Sequence, residues 1–153
     1  MAPRNEIQQE FDAFGANAGM LKKSGNWYHA SDETISVLNL QKSQYGLSYY
    51  FNVGIWITPL GEERFPKEHK CHVRLRLGDL VPQRTEEISA LLDLEHDASS
   101  RVERLRDVFE RELKPFLASG ESLDGLRQLQ REGRLAGAFV LGPAMALLRR
   151  GLS

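Results

Sequence analysis

The clearest hydrophobic pattern in the chain is a strict alternation over residues 47–58, LSYYFNVGIWIT. Such a period of two is typical of a half-buried β-strand. The preceding segment, residues 34–42 (TISVLNLQK), is rich in β-branched residues and carries apolar side chains on both of its faces. Because the turn residue Gly46 lies between the two segments, they are predicted to form an antiparallel hairpin.

Two more strands are predicted, a short one over residues 27–29 and another over residues 71–78 (CHVRLRLG). The segment KKSGN, residues 22–26, is predicted as the loop before the first of them. The charged, proline-containing residues 58–70 are predicted as a second loop. A period of two gives the strand at 71–78 two faces, one with Cys71, Val73, Leu75 and Leu77, the other with His72, Arg74 and Arg76.

Helical periodicity predicts a helix before the strands. It follows Pro3, a residue that the first helical turn tolerates, and ends near Gly19. Gly15 lies inside it and is expected to weaken it by about 1 kcal/mol. Its apolar residues recur at spacings of three and four, at Ile7, Phe11, Phe14, Ala18 and Leu21.

A run of helices is predicted after the strands. Thr85 is expected to cap the first of this run, and SRVE at residues 100–103 matches the capping-box pattern for the next. A weaker helix is predicted over about residues 123–132, and a last helix, opened by Pro143, is predicted to include residues 145–150.

This order of one helix, then strands, then helices predicts an α+β fold with an antiparallel sheet of about four strands. The N-terminal helix and the C-terminal helices are expected to pack mainly on one face of the sheet. The length of 153 residues fits a single domain over residues 1–153.

Composition and charge narrow the function classes only slightly. The net charge of −1 gives no overall electrostatic reason to expect nucleic acid or an anionic membrane as a partner. Cys71 is the one cysteine, so no intrachain disulfide can form, which favours a reducing compartment. The N-terminus lacks a signal-peptide pattern, and the apolar run at residues 135–142 is too short to span a bilayer. We therefore predict a soluble, cytoplasmic protein with no membrane partner.

Three segments taken together resemble a known family: residues 19–30 (GMLKKSGNWYHA), 39–57 (NLQKSQYGLSYYFNVGIWI) and 71–80 (CHVRLRLGDL). The matching positions are Gly19, Lys22, Lys23, Gly25, Trp27, Gln41, Lys42, Ser43, Asn52, Gly54, Ile55, Cys71, His72, Arg74, Arg76 and Gly78. The chain resembles, over about residues 5–117, the DUF 4304 family of bacterial domains of unknown function. It departs from the family at Met20, where an aromatic residue is usual. The resemblance implies an α+β fold and no known activity, and it leaves residues 118–153 as a helical C-terminal extension.

The sheet face that points away from the helices carries the candidate binding site. The residues predicted there are Tyr50, Asn52, Trp56, His72, Arg74 and Arg76, joined by Asn39 and Gln41 if Leu38 and Leu40 point into the core. Arginine offers forked donors for carboxylate or phosphate, and aromatic rings offer stacking area. This chemistry suits an acidic protein, an anionic ligand or single-stranded nucleic acid. The alternative is an ordinary solvated face whose arginines pair with glutamates of residues 62–68.

Other groups of candidate residues give weaker indications of a functional site. His69, Cys71 and His72 have the residue types of metal ligands, but Cys71 and His72 are expected on opposite faces of a strand. No metal site or thiol–imidazole pair is therefore predicted, and Cys71 is expected to be a buried apolar residue. Asp79 is interpreted as a turn acid or an arginine partner. Paired acids are interpreted as solvated helix faces, at Glu86, Glu87, Asp93 and Glu95. No cofactor motif is present, so no cofactor and no catalytic residue is predicted.

The C-terminal region offers a second candidate surface. Residues 125–153 contain five arginines and one glutamate, and 5 − 1 gives a net charge of +4. A basic tail of this kind suits nucleic acid or an acidic partner. The arginines are Arg127, Arg131, Arg134, Arg149 and Arg150. The apolar run at residues 135–142 is expected in the core or, if exposed, in a homodimer contact.

Three functional hypotheses use the predicted sheet face. The leading one is a non-catalytic binding or regulatory module that recognises an acidic partner. The second is a small enzyme acting on a phosphate- or carboxylate-bearing substrate, with Arg74 and Arg76 orienting it and His72 as acid or base. The third is a nucleic-acid-binding domain, which a continuous basic stripe reaching the C-terminal arginines would favour.

Overall fold

The computed structural model describes residues 4–150. The strands are β1 (Leu21–Lys23), β2 (Asn26–Ala30), β3 (Thr34–Lys42), β4 (Tyr49–Ile57), β5 (Val73–Arg76) and β6 (Phe139–Val140). The α-helices are α1 (Glu6–Asn17), α2 (Thr85–Leu91), α3 (Arg101–Val108), α4 (Lys114–Ser119), α5 (Leu123–Arg131) and α6 (Gly142–Arg149). A π-helical turn, Phe109–Leu113, joins α3 to α4. Within these residues no helix has the length and apolar character needed to cross a membrane.

The six strands form one antiparallel sheet in the order β1-β2-β3-β4-β5-β6. The predicted α+β class is confirmed, although the sheet has two more strands than expected. In the β3–β4 hairpin Leu38 lies opposite Val53 and Leu40 opposite Phe51, as one long antiparallel pairing. Their side chains pack into the main core, to which α1 and the helices after β5 contribute.

Helix α1 closes one side of this core. Asn5 forms a capping box with Gln8, which satisfies two backbone N–H groups at the helix start. The ring of Phe11 meets that of Phe51 edge-on at 5.3 Å between centroids. A Cβ on Gly15 would lie 2.2 Å from the indole of Trp27, so the glycine that weakens the helix is required by close packing against β2. The predicted role of Pro3 lies outside the described residues.

Two predicted caps are wrong. Helix α2 begins at Thr85 itself, whose hydroxyl donates to the carbonyls of Gly78 and Pro82 instead of capping the helix. Ser100 does precede α3, but its φ is +61° and its side chain makes no capping hydrogen bond. A capping side chain needs an extended backbone to reach the amides of the first turn, and the left-handed conformation prevents this.

The two additional strands lie at the edges of the sheet. Lys22 and Lys23, predicted in a loop, pair with β2 through a tight turn in which Ser24 and Gly25 have φ values of +53° and +83°. Leu21 therefore belongs to β1 and not to the first helix. Strand β6 pairs with β5 and lies in the C-terminal extension, which also contains the helices α5 and α6.

The second face of the sheet is divided into a covered half and an open half. Residues 58–71 cross one half and bury a small apolar group, which we call the loop cluster: Tyr28, Ile35, Val37, Trp56, Phe65 and Cys71. The ring of Phe65 meets that of Tyr28 edge-on at 5.3 Å. Apolar residues on both faces of β3 are thus explained, because both faces are covered along part of its length.

Candidate functional site

The six predicted site residues share the face opposite the main core, but the loop separates them into two groups. Trp56 and His72 lie in the covered half, where their ring centroids are 4.3 Å apart. Arg74 lies opposite Gly54, and Arg76 lies opposite Asn52 in the open half. The ring of Tyr50 lies beneath the guanidinium of Arg76.

His72 serves the structure of the covered half. It is only 7% exposed, and its Nδ1 accepts a hydrogen bond from the backbone N–H of Ile57 at 2.8 Å. Burial lowers the pKa of the imidazole, which favours the neutral form that this hydrogen bond requires. The indole N–H of Trp56 is likewise engaged, donating to the carbonyl of Gly61 at 2.9 Å.

Cys71 is buried as predicted, but on the other face of the sheet. Its Sγ lies 2.9 Å from the position that a Cβ on Gly54 would occupy, so it shares the face of Arg74 and not that of Val73. The alternation fails here because β5 begins at Val73 and Cys71 still belongs to the preceding turn. Burial raises the pKa of the thiol to about 12, with a further contribution from Glu68.

The open half contains a shallow, solvent-open groove of about 570 Å³. We call it the arginine groove. The side chains that line it and matter here are Gln41, Asn52, Glu68, Arg74, Arg76, Asp79 and Phe139. It therefore contains three of the six predicted residues, together with Asp79, which the sequence indicates as a turn acid or an arginine partner. It also contains two residues that sequence patterns do not mark as site residues, Glu68 and Phe139.

Both arginines of the groove lie over aromatic rings. The guanidinium carbon of Arg76 is 4.1 Å from the ring centroid of Tyr50, and that of Arg74 is 4.4 Å from the ring centroid of Phe139. Such stacking fixes a long side chain while it leaves the edge of the guanidinium free for hydrogen bonds. The groove thus presents two partly immobilised cations side by side on one strand.

Among residues 4–150, neither guanidinium has a carboxylate partner. Arg74 donates from Nη1 to the carbonyl of His69 at 2.7 Å, and its buried Nε has no acceptor. Within residues 4–150 no acidic side chain forms an ion pair with Arg74 or Arg76. The expected pairing with glutamates of residues 62–68 is therefore not observed. Asp79 accepts instead from the backbone N–H of Arg76 at 2.8 Å, as a turn acid does.

Amide side chains form the floor between the strands. Asn52 donates to Asn39 at 2.9 Å and to Gln41 at 3.1 Å, and Asn39 donates to Asn26 at 2.8 Å. Leu38 and Leu40 pack on the main core, so Asn39 and Gln41 point to the opposite face. This is the arrangement in which the sequence predicts that Asn39 and Gln41 join the polar face. Asn52 is only 6% exposed, so its hydrogen bonds hold the floor in one arrangement.

Glu68 is the acidic side chain on the Arg74 side of the groove. Its Cγ lies 3.3 Å from the position of a Cβ on Gly54. Burial raises the pKa of the Glu68 carboxyl, and the charges of Arg74, His69 and Arg76 oppose that effect. No sequence pattern marks Glu68 among the other charges of its loop, whereas Phe139 lies in an apolar run and is 53% exposed.

Among residues 4–150, two of the five C-terminal arginines form ion pairs. Arg127 pairs with Asp124, and Arg134 pairs with Glu112 at 3.5 Å. Leu135 of the neighbouring apolar run is buried in the main core. In the part of the chain that is described, no group of three or more His, Cys, Asp or Glu side chains is arranged to hold a metal ion.

The structure is an α+β domain with a polar groove on one face of its sheet. A family model described as a domain of unknown function (DUF4304) matches residues 16–119, about two thirds of the chain. The chain belongs to this family, which confirms the resemblance of the three sequence segments. Comparisons with curated proteins and with solved structures found no match.

Proposed function

We propose that this domain is a non-catalytic binding module that holds carboxylate groups of an acidic protein partner in the arginine groove. The observation that carries the proposal is the pair Arg74 and Arg76, stacked on aromatic rings and without a carboxylate partner among residues 4–150. Guanidinium groups form charge-assisted, forked hydrogen bonds with carboxylates. A guanidinium already held in place loses less side-chain entropy when it binds.

The charges around the groove support a discrete carboxylate over a nucleic-acid backbone. Arg74 and Arg76 share the groove with Glu68 and Asp79, so its formal charge is zero when both acids are ionised. Nucleic-acid binding rests on several cations that neutralise successive phosphates. Ion pairs at Arg127 and Arg134 further reduce the cationic surface that a phosphate backbone would require.

The position of His72 supports binding over catalysis. An acid or base must reach the proton that it transfers, directly or through one water. The imidazole is buried beside Trp56, and its Nδ1 is occupied by the amide of Ile57. It faces the loop cluster, whereas Arg74 and Arg76 face the groove.

The proposal is tested with the double variant Arg74→Ala/Arg76→Ala. The probe is an N-acetylated, C-terminally amidated hexaglutamate peptide, and binding is followed in ¹⁵N NMR spectra that include the arginine Nε–H signals. We expect at least a tenfold loss of affinity, or about 1.4 kcal/mol. The matched control is Arg111→Ala/Arg131→Ala, which removes two exposed helical arginines outside the groove and is expected to bind like the wild type.

A second variant separates recognition from folding. Arg74→Lys/Arg76→Lys keeps both charges but removes the forked donors, so we expect weaker binding by a folded protein. Equal affinities of the wild type and the double alanine variant would overturn the proposal. Equal loss in the control pair would show that the peptide responds only to net charge, which would also overturn it.

A further inference from the structure

Glu68 lies within the arginine groove without a partner for its carboxylate. Its stem packs against the sheet at Gly54, where the absence of a side chain makes room for it, directly across from Arg74 in the β4–β5 pairing. Within residues 4–150 its carboxylate makes no hydrogen bond and no ion pair. The charge of Arg74 acts on the Glu68 carboxyl, so the two groups are near each other. Glu68 nevertheless leaves the hydrogen-bonding edge of Arg74 open to a ligand.

An incoming carboxylate on Arg74 would meet this second carboxylate. The charged and titratable groups that face Glu68 are His69 and Cys71 from its own loop, Arg74 and Arg76 from β5, and Asp79 at the end of that strand. The side chains from β3 and β4 that line the groove beside it, Gln41 and Asn52, are neutral. When two carboxylates share one site, the pKa of one of them rises strongly, because both cannot remain ionised at low cost.

This inference rests on the proposed function: we propose that each carboxylate bound in the arginine groove is accompanied by one proton, which Glu68 takes up. Protonation removes the repulsion between the two groups and turns Glu68 into a hydrogen-bond donor toward the ligand. The groove then carries one net positive charge, which matches the single negative charge of an aspartate or glutamate side chain. Partial burial of Glu68 already makes its neutral form easier to reach.

The first measurement is the number of protons taken up by the wild-type protein. Isothermal titration with the hexaglutamate peptide between pH 6 and 8, in two buffers that differ in ionisation enthalpy, gives this number directly. We expect an uptake close to one proton per bound peptide at the upper end of this range. Affinity should fall by about tenfold for each unit of pH between the pKa of Glu68 in the free protein and its higher pKa in the complex.

The Glu68→Gln variant tests whether Glu68 is the group that takes up the proton. It is neutral at every pH and keeps a donor at the same place, so we expect tighter binding than the wild type at pH 8 and no proton uptake. The matched control is Glu63→Gln, an exposed glutamate of the same loop, which should keep the wild-type pH dependence. His69→Gln removes the imidazole next to Glu68 in the same loop and should also leave the proton count unchanged.

The outcomes separate this inference from the proposed function. Peptide binding that requires Arg74 and Arg76 but takes up no proton would overturn the inference and leave the function standing. Proton uptake that persists in Glu68→Gln would assign it to another group and would equally overturn the inference. Failure of the wild type to bind the peptide at any pH in this range would overturn both. Because the proton count is made on the wild type, it does not depend on how well the variant folds.

Discussion

The covered and open halves of one sheet face differ in function although they are built from the same two strands. In the covered half Trp56 and His72 are held by backbone partners in the loop and at the end of β4. In the open half Arg74 and Arg76 lie on aromatic rings and have no acidic partner among the described residues. Residues 58–71 make the difference, because they cover one half and border the other through Glu68 and the carbonyl of His69.

The comparison shows that strand periodicity specifies a face and not its exposure to solvent. His72, Arg74 and Arg76 are spaced at two residues and share a face, yet His72 is buried and Arg76 is exposed. Side chains alternate because of backbone geometry, whereas their exposure depends on what packs above them. A row of polar residues on a strand can therefore combine a structural part with a binding part.

The largest expected effect is the protection of Cys71, in the covered half, against thiol reagents. Its thiol is fully buried and its pKa is raised to about 12, so the thiolate population at pH 8 is about a thousandfold below that of an ordinary cysteine. We expect a thiol reagent such as iodoacetamide to modify the native protein at least this much more slowly than the protein unfolded in urea. Mass spectrometry of timed samples measures both rates.

Two aromatic variants test whether residues 58–71 protect Cys71 from labelling. Phe65→Ala removes the ring that packs on Tyr28 and should accelerate labelling, because the cover opens more often. Tyr45→Ala removes a ring that is 93% exposed and should leave the rate unchanged. If native Cys71 reacted within tenfold of the unfolded rate, the covered half would not be closed in solution.

A side chain at Gly54 should displace residues 58–71 from the sheet, with a smaller effect than the one expected for Cys71 labelling. A Cβ at this position would lie 2.9 Å from the Sγ of Cys71 and 3.3 Å from Glu68, so Gly54→Val forces the cover away from the strand. We expect a loss of about 1–3 kcal/mol in the free energy of unfolding, measured by urea denaturation. The control is Gly142→Ala, where an added Cβ meets nothing within 4 Å and stability should change by less than about 0.5 kcal/mol. Equal stability of the two variants would show that the loop does not rest on Gly54.

The central hairpin is the part of the fold that the sequence predicts best. The pattern of β3 fits residues Thr34–Lys42 as observed, and β4 falls within the predicted strand with Leu47 left outside. Long strands of alternating character fix both their type and their register. The edge strands are harder, because β1 consists of three exposed residues and β6 of two residues that are ordered by pairing with β5. The Ser24–Gly25 turn is a local signal that could reveal β1.

The candidate site is predictable only in part, for a related reason. Alternation places Tyr50, Asn52, Arg74 and Arg76 on one face, because each lies within a regular strand. Cys71 lies before the strand begins, Glu68 reaches the groove from the loop before β5, and Phe139 reaches it from a segment that is distant in sequence. Contacts of this kind depend on where a loop and a C-terminal strand pack, which no local pattern specifies. Ile35 and Val37 are apolar although they lie on the second face of β3, and this is the sequence signal that part of that face is covered.

The smallest expected effect is the pH dependence of stability due to His72. Burial lowers the pKa of the folded imidazole below its unfolded value of about 6.5, so the unfolded chain binds more protons in the interval between the two values. Stability from this group is therefore full above the unfolded pKa and declines as the pH falls through it toward the folded value. We expect the difference in unfolding free energy between the wild type and His72→Gln to shrink from pH 7.5 to 5.5 in urea titrations. His96→Gln removes an imidazole that is 63% exposed and serves as the control for the loss of a histidine outside the covered half. A wild-type–His72→Gln difference that stays constant with pH would mean that burial does not hold the His72 imidazole neutral, and the two halves would no longer differ in solvation.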